Sequence, residues 1–322
     1  MTTRTLIADR RGPVLLDLTL PAGAITVRAE PDRHTAEVTL TAHGQDPAVG
    51  DPVQRAVLRW SPDGGTNGGA LVVNVPEVNS QVHGGGVQTV NVGGGIGSVT
   101  QILGHVPAGA TVTGLSISGP GDIIIDGGRL SGAVTVNGVT VVGGWIEITA
   151  RVPEGSRIVA SCRAADLTAH GEYAAVHFTS TSGDLNVGGV GELKVKTVSG
   201  DVRAAAVDQR ARVGSTPGNL RIDRADVVLA DSVSGDISVG DLGGEAGGFA
   251  KLSTVSGDIT VHATEGGRVN ATSVSGDVRV TAEPAALTEG LTVTARSGTG
   301  HVTTPESHPG PTAVRPRRPR RS

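Results

Sequence analysis

The chain has 322 residues, among them 49 glycines, five aromatics and one cysteine, and carries a formal net charge of −4. Glycine at about twice its usual ~7% share, with no collagen period, implies many turns and short strands. The scarcity of aromatics (Trp60, Trp145, Tyr173, Phe178 and Phe249) leaves Val, Ile, Leu and Ala to build a thin, layered interior. The single Cys162 excludes an internal disulfide framework and offers no paired metal-ligand spacing, so it reads as a small buried residue.

The N-terminus shows no apolar stretch of roughly 7–15 residues behind its basic residues. Nor does a run of ~18 apolar residues occur anywhere. The expectation is a cytoplasmic protein, with peripheral association with the envelope as the other option. Residues 1–75 are expected to form an N-terminal β-strand region that caps one end of the fold. Period-2 apolar runs at Leu16/Leu18/Leu20, Ile25/Val27, Val38/Leu40 and Leu71/Val73/Val75 are separated by Pro21-Ala-Gly23, Pro31-Asp32 and Pro62-Asp-Gly-Gly65, a pattern of antiparallel strands and hairpins. Residues 76–105 are poor in charge and rich in Gly, Val, Asn and Gln, as expected of a partly ordered connection or of irregular coils.

The strongest signal in the chain is a repeat. Ser-Gly-Asp and an aliphatic residue recur at Ser182–Leu185, Ser199–Val202, Ser234–Ile237, Ser256–Ile259 and Ser275–Val278, with Pro217-Gly-Asn-Leu220 filling the gap. From glycine to glycine the step is 17 to 22 residues, the length of one solenoid coil. Aligned on these glycines, two aliphatic columns follow the turn: Leu185, Val202, Leu220, Ile237, Ile259, Val278, and Val187, Ala204, Ile222, Val239, Val261, Val280. Two more precede it: Phe178, Val195, Val213, Ala230, Leu252, Ala271, and Val176, Leu193, Ala211, Val228, Ala250, Val269. Two short strands per coil are implied, with Asn186, Arg203, Ser238, Thr260 and Arg279 pointing outward. The fold class is therefore all-β: a parallel β-solenoid over residues 106–303, for which right-handed winding is expected from the crossover preference, with an N-terminal antiparallel region. Weaker turns at Gly119–Ile123, Ser131–Val134 and Arg296–His301 extend the array. Each coil buries about four aliphatic side chains at ~1.5–3 kcal/mol for the larger ones, too little to order a coil alone, so neighbouring coils must stabilise one another.

Gly183, Asp184, Gly200, Asp201, Gly235, Asp236, Gly257, Asp258, Gly276 and Asp277 read as structural turn residues. Glycine admits positive φ, and the Asp carboxylate accepts from nearby backbone N–H groups. Residues 304–322 form a Pro/Arg-rich tail expected to be disordered. Without its five arginines the chain has 22 basic against 31 acidic residues, or −9, so an acidic body carries a basic end. Arg315, Arg317, Arg318, Arg320 and Arg321 are candidates for contact with a polyanion such as an anionic membrane surface. Nucleic acid is the weaker option, because its binders usually carry basic charge on the folded body.

The opening Leu18-Thr-Leu-Pro-Ala-Gly-Ala-Ile-Thr-Val27, with the five Ser-Gly-Asp-aliphatic copies, resembles the bacterial β-strand-repeat family of toast-rack domains, whose members are named as adhesin candidates. The resemblance covers most of residues 14–303. It implies a β-repeat architecture and a link to the cell envelope or envelope stress; the family supplies no reaction and no catalytic residues.

The aspartate column invites a calcium ladder, since stacked coils set carboxylates ~4.8 Å apart. Unit charges at that spacing repel by ~1 kcal/mol in water and ~3–4 kcal/mol at an effective dielectric of 20. Exposed corners relieve this with solvent and N–H donors, and capping explains the column without a cation. A polysaccharide-active β-helix enzyme would need a non-repeating acid pair, whereas these acids recur once per coil. The nine histidines lack metal spacing, the glycine-rich runs complete no nucleotide fingerprint, and no nucleophile elbow occurs. No catalytic, cofactor or metal residue is assigned. The sequence points to a non-enzymatic β-solenoid scaffold or adhesin-like binding module with a protein or cell-envelope partner. The alternatives are a β-helix polysaccharide enzyme and an intracellular module that reaches membrane or nucleic acid through its tail.

Overall fold

The computed structural model describes residues 2–43, 47–62, 69–76, 115–118, 122–125, 128–130, 133–136, 139–142, 145–245 and 247–305. Alternation of apolar and polar residues makes each repeat fold as predicted, with one strand before the Ser-Gly-Asp turn and one after it. Parallel ladders join each coil to the next with the glycine-aligned residues in register. Leu185 faces Val202, then Leu220, Ile237, Ile259, Val278 and Val302. On the other face Phe178 faces Val195, then Val213, Ala230, Leu252, Ala271 and Ala295. The aliphatic columns of both faces meet in one continuous core, nearly all at 4% exposure or less. The fold is a parallel β-solenoid of two sheet faces, with a corner at each side of the core.

Two N-terminal segments differ from the hairpin expectation. Leu15–Glu30 is one continuous strand that inserts between Trp145–Pro153 and Arg157–Ser182, parallel to both. Ile25 thereby lies between Ile148 and Leu167 in the same aliphatic column. Pro21-Ala-Gly23 bends the strand through the solenoid corner: Gly23 has φ +134° and is the register partner of Ala165. Its alternating pattern could not reveal this, because period-2 burial is the same for antiparallel and parallel partners. Likewise Ala70–Asn74 runs parallel to Leu15–Thr19.

The antiparallel region lies beyond these rungs. Thr35–His43 pairs antiparallel with Trp145–Arg151 and with Thr2–Arg11, and Val57–Ser61 pairs antiparallel with Ala70–Asn74. Helix Pro47–Arg55 packs against the strands at this end, with Val53 and Ala56 buried. Arg4 donates to the carbonyls of Val53, Gln54 and Ala56, capping the helix C-terminus.

Parallel coils were expected from residue 106. Most of residues 76–144 lie outside the described set, and the strands described there pair in antiparallel hairpins. Leu115–Ser118 pairs with Asp122–Ile125, which pairs with Gly128–Leu130, and Ala133–Val136 pairs with Val139–Val142. Connections of a few residues join antiparallel strands, whereas a parallel return needs a whole coil. The turn residues 119–121 and 131–132 lie outside the described set, and the described stack continues from Trp145 to Val302–Thr303.

Candidate functional site

The repeated corner is the most regular feature of the molecule. From Gly183 to Gly257 each turn glycine N–H donates to the carbonyl of the turn residue one coil on, as from Gly218 to Ser234 and from Gly235 to Ser256, both at 3.0 Å. The aliphatic residue after Asp donates to the next Asp carbonyl, as from Ile237 to Asp258 at 2.9 Å. The N–H of the residue between them, Asp in most coils, points to the previous coil, where a side-chain Oδ1 accepts it. Asp166 Oδ1 accepts from Asp184, Asp184 from Asp201, Asp201 from Asn219, Asn219 from Asp236, Asp236 from Asp258, Asp258 from Asp277, and Asp277 from His301, all at 2.7–3.0 Å. The ladder is unbroken through seven hydrogen bonds. Asp184, Asn219, Asp236, Asp258 and Asp277 are exposed and Asp166 and Asp201 half-buried, so solvent screens the stacked charges while the charge-assisted bonds fix coil spacing.

The glycines stack beneath it. A Cβ on Gly235 would sit 2.2 Å from the Gly218 carbonyl oxygen, and φ there is +139°. The same clash recurs at Gly200, Gly257 and Gly276, and at Gly183 against the carbonyl of Ala165. Ala165-Asp166 is thus a rung of the corner that lacks the Ser-Gly signature.

Sequence reasoning missed a third corner column. Three residues before each glycine stands a hydroxyl: Ser180, Thr197, Ser215, Ser232, Thr254, Ser273 and, before Gly300, Ser297. These side chains point inward, and four are buried. Ser273 and Ser297 donate to the carbonyls of Gly257 and Gly276 at 3.0 and 2.7 Å, while Thr197 donates to Ser199 within its own turn. Among the described residues, Ser232 Oγ and His177 Nε2 are the buried side-chain polar atoms with no partner. The signal was a Ser or Thr at every repeat, hidden because hydroxyls in turns are commonplace.

Other groups are dispersed. His43 stacks on Trp145 with ring centroids 4.2 Å apart, and its Nε2 meets Glu147 Oε2 at 2.7 Å. Cys162 lines an open groove of about 290 Å³ with Thr19, Pro21 and Arg163. Burial pushes its thiol up to about 12, so it is not a nucleophile. At the opposite corner, burial and then the neighbouring Asp208 raise the carboxyl of Asp226 above its ordinary value. Among the described residues no group of three or more His, Cys, Asp or Glu is placed to hold a metal ion, and no helix is long and apolar enough to cross a membrane. Arg315, Arg317, Arg318, Arg320 and Arg321 lie outside the described residues.

No curated protein matches this sequence. Among solved structures, an adhesin candidate from Parabacteroides distasonis is 12% identical with a TM-score of 0.36, covering 94% of this chain and 96% of its own. A cell adhesion candidate from Clostridium sporogenes is 9% identical with a TM-score of 0.29, covering 94% and 99%. A lipid-binding candidate from Parabacteroides distasonis is also 9% identical with a TM-score of 0.29, covering 94% and 97%. The model of the family described as Toastrack DUF4097 matches residues 117–314, more than half of the sequence, and the chain belongs to that family.

Proposed function

We propose that the chain is a non-catalytic binding module, a stiff β-solenoid that presents flat repeating faces to a partner at the bacterial cell envelope, with which it associates peripherally. The aspartate ladder carries this reading. The acids that a sugar-cleaving site would draw on are each committed to the backbone N–H of the next coil, and each has the same surroundings as its neighbours. Catalysis needs one exceptional, converging pair with divergent acidities. What varies from coil to coil is the outward side chains of the strands, and variation on a rigid lattice is how repeat proteins make binding surfaces.

The test is co-sedimentation of the purified full chain with envelope fragments from its native host. Saturable recovery in the pellet, with no cleavage of envelope carbohydrate over time, is expected. A chain that stays in the supernatant, or one that releases sugar fragments, overturns the reading.

A further inference from the structure

The face built by the strands before each turn carries a charge pattern that no single repeat displays. Its outward positions hold Lys194 and Lys196 on one coil, Arg210 and Arg212 on the next, then Lys251, Arg268 and Arg296 on later coils, all exposed. Against these seven cations the same columns hold two acids, Glu192 and Asp231. Lys194 and Arg212 are register partners, which sets them ~4.8 Å apart. Like charges directly opposite destabilise a sheet. Among the described residues none of the seven makes an ion pair or a side-chain hydrogen bond. Between the two cationic groups lies an apolar saddle of half-exposed Val227, Leu229 and Phe249, with Phe249 in register with Val227 on one side and Arg268 on the other.

From this we infer that the face is a binding surface for a linear anionic polysaccharide laid along the stack axis. This deepens the binding-module reading above and rests on it for its biological setting. Five coil steps from Lys194 to Arg296 span ~24 Å, long and narrow. The face is bordered by acid on both sides, by the aspartate ladder at one corner and by Asp208, Asp226 and Glu265 at the other. An anionic membrane pressed against it would bring both borders toward like charge within about a Debye length; a single polymer strand lies between them. A sugar ring is about as long as a coil is tall, and its apolar side can rest on Phe249 while its acid groups meet the cations before and after. One aromatic serves a sugar ring but gives no row of platforms for successive nucleobases.

The experiment measures binding of the full chain to polygalacturonate and, separately, to inorganic polyphosphate across a salt series. Lys194→Glu with Arg212→Glu should weaken polygalacturonate binding roughly tenfold and flatten its salt dependence. Phe249→Ala should weaken polygalacturonate severalfold and leave polyphosphate unchanged. Two controls should retain binding: Arg203→Glu with Arg279→Glu on the other face, and replacement of Arg315, Arg317, Arg318, Arg320 and Arg321 by Ser. Melting curves matching the parent show that the variants fold. Equal loss in either control, no effect of the face variants, or preference for anionic vesicles or single-stranded DNA over polygalacturonate overturns the assignment. Envelope co-sedimentation separates the two claims. If the parent chain pellets with envelopes and the Lys194/Arg212 variant pellets equally well, the face assignment fails alone. If the parent chain does not pellet but binds polygalacturonate through this face, the envelope reading fails alone.

Discussion

The two corners of the solenoid solve the same geometric problem in opposite ways. At the Ser-Gly-Asp corner most coils use the same few residues, and from Gly183 to Gly257 three hydrogen bonds per coil lock each to its neighbours. At the other corner length varies freely. The step from Val207 to Arg210 has one more residue than that from Val190 to Glu192; Leu242 to Phe249 passes through Gly243-Gly-Glu245; Ala282 to Thr292 accommodates helix Pro284–Thr288. These insertions account for the variable glycine-to-glycine step. A corner with a full ladder sets rise and register, and the second corner is then free to change, because lengthening a surface loop costs little once its ends are fixed.

The largest effect should come from the core that both corners serve. Ile237→Asp puts a charge into a fully buried column and should cost more than about 4 kcal/mol, unfolding several coils together; an unchanged melting curve would refute the column alignment. Gly235→Ala strikes the fixed corner, where the new Cβ meets a carbonyl oxygen at 2.2 Å, and should cost about 3 kcal/mol in denaturant titration. Next in size is Asp236→Ala, which leaves the Asp258 N–H to water at an expected cost of about 1 kcal/mol. Asp236→Asn should be close to neutral, because Asn219 already fills the equivalent position and accepts from Asp236 at 3.0 Å. Equal loss in both variants would show that the carboxylate charge, not the acceptor, holds the corner.

Two smaller effects belong to the variable corner. A Gly-Ser insertion after Glu245 should cost under about 1 kcal/mol, and a larger loss would break the contrast between corners. Asp226 sharpens it by pH. Its folded carboxyl holds a proton more tightly than in the unfolded chain, so ionisation opposes folding, and its effect on stability worsens as pH rises through the carboxylate range. Asp226→Asn should therefore raise the melting temperature at neutral pH and change nothing below the ordinary value of 3.8, as paired melts at the two pH values would reveal.

The parts legible in sequence were those written within one repeat. Leu185, Val202 and Ile237 could be aligned because the turn that positions them is local, and the same is true of Gly235 and Asp236. The hydroxyl column was equally local, and was missed because Ser273 and its equivalents look like ordinary turn residues until their inward orientation is seen. Ala165-Asp166 escaped because it lacks the signature glycine, although it supplies the first carboxylate of the ladder.

By itself the sequence determined the all-β class, the coil length, the four aliphatic columns and the residues of the fixed corner, since periodicity within a coil reports which side of a strand meets the core. Tertiary structure decided that Leu15–Glu30 is a rung between Trp145–Pro153 and Arg157–Ser182, and that Lys194, Arg212, Lys251 and Arg268 share one face around Phe249. Parallel pairing joins residues a whole coil, or more than a hundred residues, apart. A cation that is unremarkable in its own repeat acquires its neighbours only when the coils stack.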